Sequence, residues 1–89
     1  MNKINIRPEC LQPGENWTRP TGDEIREVLR LADFTGGEAA KALCLGKEGG
    51  RTVRRWVSEE TNISYGNWAL LCDFAGIERI WKKVVTPKE

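Results

Sequence analysis

Thr35-Gly36-Gly37-Glu38-Ala39-Ala40-Lys41-Ala42-Leu43-Cys44-Leu45-Gly46-Lys47-Glu48-Gly49-Gly50-Arg51-Thr52-Val53-Arg54-Arg55-Trp56-Val57-Ser58 is the stretch that decides the fold. It opens on a capping box, in which Thr35 caps the free amides of a helix and Glu38 reaches back to the Thr35 amide. Ala39, Ala40, Leu43 and Cys44 follow at helical spacing, which predicts a short helix over 36–44. The small side chains of Ala39, Ala40 and Ala42 let a second helix approach closely, the steric need of a steeply crossed helix pair. Gly46, Gly49 and Gly50 then break the pattern and readily supply positive φ, so a turn is predicted there. Over 51–58 another helix is predicted, with Val53, Trp56 and Val57 on its buried face and Arg51, Arg54 and Arg55 on the other.

Outward from this pair, Thr21-Gly22-Asp23-Glu24 is a second capping box. Behind it Ile25, Val28, Leu29 and Ala32 recur at helical intervals while Arg26, Glu27 and Arg30 face water, which predicts a helix over 22–32. Downstream, Glu59-Glu60-Thr61-Asn62 reads as a polar loop. Ser64 then caps a helix carrying Tyr65, Trp68, Leu71, Cys72 and Ala75, ended by Gly76. A short fifth helix over 77–85 would expose Ile77, Ile80 and Trp81 as an apolar edge, suited to closing the core or to half of a two-fold interface. Residues 1–20 hold Pro8, Pro13, Pro20 and Gly14 and read as a largely extended arm, with Ile4, Ile6 and Trp17 as possible pins. Residues 86–89 form a polar tail. The fold class is all-α: one compact domain of four to five helices over 21–85.

Composition narrows the function. A chain of 89 residues supports a single core, which favours a binding module over an elaborate enzyme. Its apolar runs fall short of the roughly 20 residues of a bilayer span, and its start lacks a signal-peptide stretch, so a cytoplasmic protein is expected. Cys10, Cys44 and Cys72 are irregularly spaced and read as small core residues, not as disulfide partners. With no histidine and no Cys-x-x-Cys, no metal site is expected. Neither a G-x-S-x-G elbow nor a Walker loop is present, so no catalytic residue or cofactor is assigned. The formal charge is +1, yet residues 47–55 set Lys47, Arg51, Arg54 and Arg55 against Glu48 alone.

Major-groove binding needs a slim helix with exposed guanidinium groups near its start and an apolar back that holds it rigid. Residues 51–57 meet these needs. Arginine donates two parallel hydrogen bonds to guanine O6 and N7, so Arg51, Arg54 and Arg55, with Thr52 behind them, are the candidate base contacts. Thr35 and the unhindered backbone at Gly36 and Gly37 suit a phosphate, as do Lys47 and Ser58 at either end of the arginine helix. Trp56 and Trp68 fall on apolar stripes and are assigned to the core.

The runs Gly37-Glu38-Ala39-Ala40 to Leu43 and Arg51 to Ser58 resemble the helix-turn-helix of the Cro and phage-repressor (XRE-like) family, over roughly residues 21–76. Ala40, Val53 and Trp56 occupy the places where that family interlocks its two helices. The resemblance implies a lambda-repressor-like bundle and a prokaryotic or phage-type repressor that reads a palindromic operator in double-stranded DNA as a homodimer. Two departures stand out: Cys44 where the family has a turn glycine, and a longer connection from Cys44 to Val53. The alternative is a protein-interaction or antitoxin-type module that uses the same fold to bind a protein partner.

Overall fold

The computed structural model describes residues 6–77 and Ile80. Its order of elements is two 3-10 turns, Pro8–Leu11 and Gly14–Asn16, followed by α1 (Gly22–Ala32), α2 (Gly36–Ala42), α3 (Gly49–Val57) and α4 (Tyr65–Phe74). Among the described residues every regular element is helical.

Three of the four α-helices start where local chemistry dictates. At α1 the Thr21 hydroxyl accepts from the Glu24 amide at 3.2 Å, and Glu24 accepts from the Thr21 amide at 2.7 Å. Thr35 and Glu38 repeat the box at α2, with distances of 3.1 and 2.8 Å. Ser64 Oγ accepts from the Asn67 amide at the start of α4. The four helices also stop in one way. Each is followed by a left-handed residue, Asp33, Cys44, Glu59 or Gly76, and the amide after it bonds back to the carbonyl five residues earlier. These bonds satisfy carbonyls that the helix end would otherwise orphan.

The core gathers Ile25, Val28 and Leu29 of α1, Ala39 and Ala40 of α2, Val53 and Trp56 of α3, and Trp68, Leu71 and Cys72 of α4. α1 touches both α3 and α4, so it forms the spine against which the α2–α3 pair is set. Gly49 explains how closely that pair meets. A Cβ there would lie 2.6 Å from Ala40 Cβ and 2.9 Å from Leu45 Cβ, so only glycine fits beneath α2.

Four expectations need correction. Gly49 and Gly50 belong to the first turn of α3, and the break between the helices is confined to 43–48, where Gly46 takes φ +84°. Cys44 is not a core residue: it is exposed at φ +57°, because α2 has already ended and the chain must reverse there. The leading segment, from Ile6 on, is not a loose extended arm. Ile6 and Cys10 are buried, the two short turns fold it against the bundle, and Trp68 Nε1 donates to the Cys10 carbonyl at 2.7 Å. Ile80 offers no surface for a partner: it is fully buried, and Ile77 is half-buried against the core. Trp81, Ile4, most of the helix expected over 77–85 and the 86–89 tail lie outside the described residues.

Arg7 locks the leading segment down. Its amide and Nε donate to Glu24 Oε2 at 2.9 and 2.8 Å, and Nη2 donates to Oε1 at 3.0 Å. Burial pushes the Glu24 carboxyl upward, but the bonds from Arg7 and Thr21 outweigh it and hold the group at about 2. Cys10 Sγ sits 3.5 Å from Glu24 Oε1; burial and that neighbouring carboxylate push its thiol up to about 11. One residue thus caps α1 and anchors the preceding segment.

Candidate nucleic-acid interface

α3 divides sharply. Val53 and Trp56 are buried while Arg51, Arg54 and Arg55 are exposed. At 100° per residue, positions 51, 54, 55 and 58 fall on one face, so the three guanidinium groups share an outward surface. No ion pair engages any of the three among the described residues, whereas Arg7, Arg26 and Arg30 each have a carboxylate partner. The Arg54 guanidinium leans back toward the start of the helix, with Nη1 4.0 Å from where a Cβ on Gly50 would stand. That lean carries the Arg54 charge toward the N-terminal end of α3.

The remaining sequence-derived candidates are placed less uniformly. Thr52 is half-buried and its hydroxyl donates to the Glu48 carbonyl at 3.2 Å, so that donor is engaged within the helix. Ser58 is exposed, but its Oγ lies 3.2 Å from both the Arg55 carbonyl and Glu60 Oε2. Lys47 is exposed in the turn that precedes α3. Thr35, Gly36 and Gly37 stand together at the start of α2, where the capping box occupies the Thr35 and Glu38 amides. Gly36 also faces α3: a Cβ there would lie 3.7 Å from Val53 Cγ1.

α3 is aimed by contacts at both of its ends. Gly49 abuts Ala40 at one, and at the other Glu59 Oε2 accepts from the Gly22 amide at 2.7 Å. That bond spans the chain from the start of α1 to the residue just past α3, and Gly22 lies so close to the Val57 carbonyl that it has no room for a side chain. Both ends of the arginine helix are therefore fixed by contacts distant in sequence, which no local pattern displays.

Beside α3 lies a cleft of about 640 Å³ lined by Arg51, Arg54 and Arg55, by Gly36, and by Arg26 and Leu29 of α1. By helical periodicity alone Arg26 falls on the solvated face of α1. Its i, i+3 relation to Leu29 places the two on one side of α1, and the missing signal was which partner that side would meet.

Two short helices joined by a tight turn and packed together, the second apolar on its buried face and arginine-bearing on its exposed one, have the layout of a helix-turn-helix protein. The chain is 63% identical over 83 residues to the transcriptional repressor protein KorC of Escherichia coli, covering 93% of this chain and 98% of that protein. A second Escherichia coli KorC is 62% identical over 82 residues, covering 92% of this chain and 96% of its own. The chain belongs to the KorC family of transcriptional repressor proteins. No protein-family profile and no solved structure matches it.

Proposed function

We propose that the protein represses transcription by binding duplex DNA with α3 in the major groove. The observation that carries this reading is the exposed arginine face of α3, which no carboxylate pairs among the described residues, backed by the buried Val53 and Trp56. Arg51, Arg54 and Arg55 read base edges, and each well-formed bidentate pair with guanine contributes roughly 1 to 3 kcal/mol of discrimination. Thr52 offers its methyl to a neighbouring thymine. Thr35, Gly36, Gly37, Lys47 and Ser58 hold phosphates and fix the register.

A single helix spans only a few base pairs, so two copies related by a two-fold axis read a palindrome with half-sites about 34 to 36 Å apart. Repression then follows from occupying a promoter, and the kinship with Cro and phage repressors rests on the interlocking positions Ala40, Val53 and Trp56. A regulator of this kind works in the cytoplasm by occupancy and needs neither catalysis nor a cofactor.

Fluorescence anisotropy on a labelled duplex, titrated with salt, tests the reading. Binding to DNA through phosphates gives a log–log slope of about 0.9 per neutralised phosphate. Failure to bind any duplex at low salt, together with tight, salt-insensitive capture of a protein partner, would contradict it.

A further inference from the structure

Resting on the duplex reading above, we propose that Arg26, on α1 and outside the helix pair, contacts a backbone phosphate beside the groove that α3 enters. α1 contributes Arg26 and Leu29 to the cleft, and α3 contributes Arg51, Arg54 and Arg55. Four cations meet there with Glu60 as the sole carboxylate among the lining residues, so the concavity selects an anion.

Geometry selects which part of the duplex that anion belongs to. The major groove, about 12 Å wide, admits one helix, and only the side chains of that helix reach base edges. α1 packs against α3 and shares the cleft with it, so a side chain it sends there meets the rim of the groove, where the sugar-phosphate strand passes. Arg26 is also available at little cost. Its ion pair among the described residues, to Asp23 at 3.3 Å, is an exposed i, i+3 contact weakened by solvent and readily exchanged for a phosphate. Arg30, one turn on, differs: two bonds of 3.0 and 2.8 Å hold it to the buried Glu27, and it does not line the cleft.

A phosphate contact asks for charge, whereas base reading asks for the planar fork of arginine, and this separates the two roles. Arg26→Ala, Arg26→Lys and Arg54→Ala are compared by salt-titrated anisotropy on a selected duplex and on a random one, with melts to confirm folding. For Arg26→Ala, affinity falls on both duplexes alike and the slope drops by about 0.9, while Arg26→Lys keeps the slope. An unchanged slope in Arg26→Ala, or a loss confined to one base position, overturns the proposal. If no duplex is bound by the unmodified chain, the duplex reading itself fails; if Arg26→Ala is silent while the unmodified chain binds, only the phosphate assignment does.

Discussion

Arg7 and Arg54 are the same residue type put to opposite uses. Arg7 bonds to both oxygens of the buried Glu24 and ties the leading segment to α1. Arg54 stands on α3 with no carboxylate partner among the described residues. The difference lies in what surrounds each guanidinium. Two acids, Glu24 and Glu27, are buried in the bundle, and each is paired there with an arginine, as a buried carboxylate must be. α3 itself carries none. A net charge of +1 hides this segregation, and the segregation leaves one face free for a polyanion.

The comparison between a locked region and a free one can be broken most severely at Trp56, the anchor beneath the free face. Trp56→Ala removes a ring that is 5% exposed and should cost about 3 to 5 kcal/mol, read as a lower melting temperature by circular dichroism. An unchanged melt contradicts the division of α3 into two faces. A milder test sets two adjacent glycines against each other. Gly49→Ala drives a methyl into Ala40 and Leu45 and should cost about 1 to 3 kcal/mol, whereas Gly50→Ala meets nothing nearer than 4.0 Å and should stabilise by about 0.5 to 1 kcal/mol. Equal effects at the two positions would dissolve the close approach of α2 to α3.

The locked region is probed by acid. The Glu24 carboxyl is depressed from 4.5 to about 2, so its contribution to stability is complete above 4.5 and is lost as pH falls from there toward 2. Melting temperature followed from pH 6 downward should fall across this window, and Glu24→Gln should start lower and fall less. The smallest effect is expected at Cys44. Its left-handed φ is unfavourable for any residue with a Cβ, and Cys44→Gly should stabilise by about 0.5 to 1 kcal/mol. In the unmodified chain a thiol reagent should find Cys44 fast, with Cys10 and Cys72 protected by burial.

Helix starts were legible because a cap is local chemistry: Thr21, Thr35 and Ser64 announce α1, α2 and α4 within four residues. α3 has no side-chain cap, and it starts at Gly49, two residues before the Arg51 start that the sequence pattern predicts. Gly49 looked like a turn residue because the demand for it comes from Ala40, nine residues earlier. Cys44 looked like a core residue because apolar spacing continues past the point where α2 ends. The packing of the leading segment rests on Arg7 and Glu24, seventeen residues apart, and a run of prolines gave no sign of it. The arginine face was visible in the sequence because it needs only helical periodicity. Arg26 was missed as a neighbour of that face because two helices must be docked before the cleft exists.

Selection of bound duplexes from a random pool, run in parallel with the unmodified chain and Arg54→Ala, is the most direct test of α3 as the reading element. Groove reading predicts an inverted repeat for the unmodified chain, with a guanine preference that Arg54→Ala relaxes at one position of each half-site. Identical motifs from the two proteins, or no motif from either, would contradict it.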